Sequence, residues 1–131
     1  MNTYSAILQD FVPVGERFYV KSLRDEAGLL EVTLSGKTLV LNVQFGAALA
    51  YRKVDEGDAL KALAEIESTS SPGMVLYGVS ESRFTEWFCE QGYGVRKADS
   101  IAHVAIVAGD DIIDILCLEP PACALGPAIG Q

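Results

Sequence analysis

Leu29-Leu30-Glu31-Val32-Thr33-Leu34-Ser35-Gly36-Lys37-Thr38-Leu39-Val40-Leu41-Asn42-Val43-Gln44 decides the fold. Leu30, Val32 and Leu34 fall on one side and Glu31 and Thr33 on the other, the period of two that marks a half-buried strand. Ser35-Gly36 supplies a two-residue hairpin connection. Beyond it Leu39, Leu41 and Val43 alternate with Thr38, Val40, Asn42 and Gln44. This pattern predicts one long strand from Lys37 to Val54, in which Gly46 and the small residues Ala47, Ala48 and Ala50 mark a bulge or a close neighbour. Upstream, Arg17 to Leu23 reads as a strand that ends at the turn Asp25-Glu26-Ala27-Gly28. Three strands in a meander follow. Pro13 and Gly15 break the chain before them, and the first fifteen residues carry no period.

Helix signals come next. Asp55-Glu56-Gly57-Asp58 offers a cap and first-turn acids, which complement the free amides of a helix start. Leu60, Leu63, Ala64 and Ile66 then form an apolar face through Glu67. Ser68 to Gly73, with Pro72, is the most loop-like stretch, and Met74 to Val79 reads as a strand. Ser80 is the expected cap of a second helix carrying Phe84, Trp87 and Phe88 on one face, stopped at Gly92 with Gly94 close behind. Ile101–Ala108 and Asp111–Leu118 form a last hairpin across Gly109-Asp110, its second strand covered on both faces for part of its length. Residues 119–131, with Pro120, Pro121, Gly126, Pro127 and Gly130, read as an irregular tail. The sum predicts a single α+β domain, a mainly antiparallel sheet of about six strands with two helices.

The chain has 131 residues, half of them hydrophobic and 21% charged, enough for one core and too apolar for a disordered segment. Its formal charge of −8 makes nucleic acid and anionic membrane poor partners. Three cysteines without CxxC spacing argue against a disulfide framework or a thiol zinc site. The start lacks a signal-peptide pattern, and the apolar run Leu39–Tyr51 is short and broken by Asn42 and Gln44, so a cytoplasmic chain is expected.

Candidate chemistry is sparse. His103 is the only histidine, which rules out a two-histidine metal site within one chain. In mid-strand it reads as a half-buried, hydrogen-bonded structural residue; the rival reading makes it the base for Cys89, Cys117 or Cys123, which no spacing supports. Cys89 and Cys117 sit where a small buried side chain is ordinary. Gly92-Tyr93-Gly94 follows a helix, whereas a phosphate loop precedes one. Asp110, Asp111 and Asp114 lack the loop pattern of a calcium hand. No catalytic residue, metal or cofactor is expected.

Charge placement is more informative. Residues 55–67, 81–90 and 110–119 carry net −4, −2 and −4, together −10, which leaves +2 for the remainder of the chain. Gathered on one surface, their carboxylates would steer a positively charged partner; otherwise they are solvated helix faces.

Several segments resemble immunity proteins of bacterial polymorphic toxin systems, including those of contact-dependent growth inhibition. They are Tyr51-Arg52 with Asp55-Glu56-Gly57-Asp58, Glu86-Trp87-Phe88 leading to Gln91-Gly92-Tyr93-Gly94-Val95, His103 to Val107, and Asp111 to Leu116. The resemblance implies an inhibitor, without enzymatic activity, that binds a cognate toxin domain, commonly a nuclease. A nuclease cleft attracts phosphates and is basic, so an acidic inhibitor can occupy it or a neighbouring surface. The charge argument places the contact among Asp55, Glu56, Asp58, Glu81, Glu86, Glu90, Asp110, Asp111 and Asp114. The competing expectation is a small enzyme or ligand-binding domain using His103 with a cysteine and Asp110 or Asp111. A third is an oligomerising subunit with the strand Ile101–Ala108 as a free sheet edge.

Overall fold

A computed structural model describes residues 2–12, 15–71 and 73–128. Pro13, expected to break the chain, Pro72 of the expected loop and Gly130 of the expected tail lie outside them. Alternation in the deciding stretch is realised as expected: in β3 (Leu29–Ser35) Leu30, Val32 and Leu34 are buried, and in β4 (Leu39–Phe45) Leu41, Val43 and Phe45 are. β2 (Tyr19–Glu26) pairs with β3, and β3 with β4, all antiparallel. On the opposite face, Asn42 donates to Thr33 and Gln44 to Glu31 across the β3–β4 pair, so that face satisfies itself in water.

The expected long strand and irregular tail are both corrected. The stretch Lys37–Val54 is two strands: the chain turns at Gly46-Ala47 and leaves this sheet, and β5 (Ala48–Asp55) joins another. The tail is partly regular, because β9 (Ala122–Pro127) pairs with β4 along its length. Proline tolerates that place because β9 is an edge strand, with one row of backbone groups free of ladder bonds.

The second sheet has the order β1-β6-β7-β8-β5. Its other members are β1 (Thr3–Ala6), β6 (Leu76–Ser80), β7 (Ala102–Ala108) and β8 (Asp111–Cys117). All its pairs are antiparallel. β1 lies in the first fifteen residues, which carry no period in the sequence. Nine described strands in two sheets replace the expected six, within the α+β class. β7 is an inner strand, flanked by β6 and β8, so it offers no free edge.

Period two sorts the second sheet into two faces. Leu76, Val104, Ile106, Ile113, Ile115 and Cys117 meet β3 and β4 in the main core. The other face carries Tyr4, Tyr77, Ala105 and Ile66 of the first helix in a smaller cluster. That double cover explains why β8 is buried along almost its whole length, as the apolar pairs Ile112-Ile113 and Ile115-Leu116 on both sides of Asp114 suggest.

Both helices lie on this second face. Asp55 caps a short 3-10 turn, Glu56–Asp58, by accepting the Gly57 N–H; α1 (Leu60–Thr69) starts afterwards. Its buried residues are Glu65 and Ile66, while Leu60 is exposed, so the face is rotated from the expected one. α2 (Arg83–Gln91) is capped by Ser82 rather than Ser80. The chain turns at Glu81, whose φ of 52° is left-handed, and this moves the cap two residues on. No helix among the described residues is long and apolar enough to cross a membrane.

Candidate functional site

The face under the helices is built from one cross-strand row. Arg52 on β5 is directly opposite Asp114 on β8, and His103 on β7 reaches Asp114 along the diagonal. Asp114 is 5% exposed and His103 3%. His103 Nε2 donates to Asp114 Oδ1 at 2.7 Å, and Arg52 Nε donates to Oδ2 at 3.1 Å. Burial alone would push the Asp114 carboxyl up; the hydrogen bond and charge of His103, with Arg52 added, outweigh it and hold the carboxyl below its ordinary value.

The other ring nitrogen, Nδ1, lies 2.6 Å from Ser82 Oγ, which also accepts the Thr85 N–H as the cap of α2. In the neutral ring, Ser82 donates to Nδ1 and Nε2–H points to Asp114. Ser, His and Asp stand in the order of an acyl-transfer relay. Here the serine is 7% exposed and its oxygen is occupied by the helix cap. The relay fastens α2 to the sheet. His103 is thus hydrogen-bonded and more buried than expected, and its partners are Ser82 and Asp114; Cys117, on the same sheet, faces the main core.

Above this row a cleft of about 490 Å³ opens between α1 and α2. Arg83 at the start of α2 places Nη2 against both oxygens of Glu65, at 3.2 and 2.9 Å. This pairing explains how α1 can turn an acid inward. The Arg52 guanidinium lies 4.2 Å from the Phe84 ring centre, and Phe84 stacks on Trp87 at 5.9 Å. Trp87 remains 53% exposed at the cleft, although its spacing from Phe84 reads as buried. Arg52, Lys61, Arg83 and the exposure of Trp87 escape the sequence reading, because Arg52–Asp114 and Arg83–Glu65 join segments far apart in the chain.

The nine candidate acids divide. Asp55 and Asp111 are opposite one another in the β5–β8 register, and Glu56 N–H donates to Asp110 C=O at 2.8 Å. Two acidic turns, from separate parts of the chain, therefore meet at one end of the sheet with Asp58 beside them. Like charges facing across a strand pair repel; Lys53, 3.1 Å from Asp111, offsets part of that. Glu81 is elsewhere. It follows β6, at the level of residue 101, whereas Asp110 lies beyond residue 108, about 25 Å along the strands. Glu86 and Glu90 are exposed on α2, one turn apart. Asp114 is turned inward and its carboxylate is held by His103 and Arg52, so it presents no charge to solvent. Among the described residues no group of three or more His, Cys, Asp or Glu side chains could hold a metal ion. Comparison with protein-family models, curated proteins and solved structures finds no match.

Proposed function

We propose that this chain is an immunity protein: it binds one cognate toxin domain with a basic surface, of the nuclease kind, and blocks it in the cytoplasm of the cell that makes both. The observation that carries this reading is the Glu56–Asp110 backbone bond, which ties two acidic turns into one anionic end holding Asp55, Glu56, Asp58, Asp110 and the half-neutralised Asp111. Neighbouring carboxylates on a fixed scaffold act as a single field, which raises encounter rates and orients a cationic partner.

Aromatic anchors support it further. Trp87 is half exposed and Tyr93, just after α2, is 98% exposed. Exposed aromatics beside charge supply the short-range contacts that govern complex lifetime. In this reading Glu86 and Glu90 flank those anchors, Glu81 is peripheral, and Asp114 contributes only by holding Arg52 and α2 in position.

Neutralisation in cells tests the proposal. The C-terminal domain of the polypeptide encoded beside this chain should arrest growth when expressed alone, and coexpression of this chain should restore it. A harmless neighbour, or toxicity undiminished by coexpression, refutes the reading.

A further inference from the structure

The cleft between α1 and α2 has a formal lining charge of zero, with Arg52, Lys61 and Arg83 against Asp58, Glu65 and Asp114. Its hydrogen-bonding character is not neutral. Asp114 faces His103 with one oxygen and Arg52 with the other, and both Glu65 oxygens face Arg83. The side chains of these two carboxylates are only 8% and 7% exposed, whereas those of their arginines are 49% and 44% exposed. Arg52 donates through Nε alone and Arg83 through Nη2 alone; Nη1 and Nη2 of Arg52, and Nε and Nη1 of Arg83, find no acceptor among the described residues. Lys61 forms no ion pair there either. The buried acids thus anchor two guanidinium groups that line the cleft and keep unpaired donors.

We infer that this cleft is a binding site for a small oxyanion, a carboxylate or phosphate, carried on a flat apolar body. Arg52 and Arg83 are restrained beforehand, one by Asp114 and the Phe84 ring and the other by Glu65, so little side-chain freedom remains to be lost on binding. Guanidinium donors match planar oxyanions in pairs. Lys61, an exposed lining residue, adds a positive charge, and the exposed part of Trp87 supplies a surface for the ligand body. The cleft volume suits a ligand of this size. Asp58 is the one lining acid without an ion-pair partner among the described residues, and it opposes the anion. This inference uses neither His103, which does not line the cleft, nor the Glu56–Asp110 contact; it shares Asp58 with the acidic end and Trp87 with the aromatic anchors.

Removing Arg83 would leave the buried Glu65 carboxylate unpaired, and removing Arg52 would leave one oxygen of the buried Asp114 without a partner, so the test uses Lys61 and Asp58, whose side chains make no hydrogen bond or ion pair among the described residues. The full chain is titrated with phenyl phosphate, benzoate and uncharged phenol at constant ionic strength. The signals followed are the Trp87 indole N–H and the arginine Nε–H resonances; the chain has a single tryptophan, so the first needs no assignment. Saturable shifts with phenyl phosphate or benzoate, and none with phenol, are expected, and the anion that saturates identifies the phosphate or carboxylate source. K61Q should bind about two- to fivefold more weakly and D58N about two- to fivefold more tightly. Absence of saturation by either anion, equal shifts with phenol, or affinities unchanged in both variants would overturn the assignment. Growth neutralisation is a separate readout, so failure here is distinguishable from failure of the toxin-binding reading.

Discussion

The substitution Asp114→Asn keeps the shape of the buried row and removes its charge. The carbonyl of the new side chain could still accept from His103 Nε2–H, but its amide would then face the Arg52 Nε–H, donor against donor. His103 is too buried to turn to water, whereas Arg52 is half exposed and can, so screening reduces the Arg52 share. Weakening the charge-assisted bonds to a buried carboxylate should destabilise the domain by about 1.5–3 kcal/mol. Unfolding entropy of about 2.1 cal/mol/K per residue converts this to a fall in Tm of about 5–11 °C for the 131-residue chain. The sign of the pH effect follows from the lowered carboxyl. Its stabilisation is fully present above the ordinary aspartate pKa of about 4 and is lost as pH falls through the lower folded value. Asparagine has no such titration, so the gap between the two proteins should be widest at neutral pH and narrow steadily below about pH 4. Urea unfolding at pH 7, 5 and 3.5 measures it. Equal stability at pH 7, or a gap that stays constant into acid, would refute the role given to Asp114.

Other elements give sharp expectations. S82A removes the Thr85 cap and leaves His103 Nδ1 without a partner, and urea unfolding should register a loss of about 2–4 kcal/mol; a loss under about 0.5 kcal/mol would mean the relay does not hold α2. Burial pushes the Cys117 thiol up to about 11, so at pH 8 it should resist a disulfide-exchange reagent until the chain is unfolded; prompt labelling of all three cysteines would contradict its packing. A chain ending at Glu119 loses β9 and its six paired positions, at about 0.5 kcal/mol each. About 3 kcal/mol of destabilisation, with light scattering that rises with concentration as β4 becomes an open edge, is expected; unchanged stability would show β9 to be dispensable.

Where one face of a strand is buried and the other wet, the sequence was readable. Leu30, Val32 and Leu34 identify β3 without further help, and the β7–β8 hairpin is written in two apolar runs around Gly109-Asp110. Failures occur where a distant residue decides. No local pattern divides β4 from β5, because the turn at Gly46-Ala47 matters only once β8 is available to pair with β5. β9 hides behind prolines that an edge position tolerates. In α1 the buried face is rotated because Arg83, eighteen residues away, makes an inward Glu65 tolerable. Asp114 fits the charge pattern of its neighbours, yet β8 alternation turns it toward Arg52, sixty-two residues back. The acidity of the Asp55 and Asp110 turns was legible in the sequence; that the two turns meet is fixed only by the sheet register. The cleft, made of long-range ion pairs, was not legible.

The most direct test of the acidic end is its association rate with the toxin domain encoded beside it, measured by stopped flow across ionic strengths. Wild type should associate faster as salt is lowered. Joint replacement E56K, D58K and D110K should slow association about tenfold or more at low salt and flatten or invert the salt slope. Identical rates and identical salt slopes for the two proteins would contradict the claim that this anionic end meets the partner.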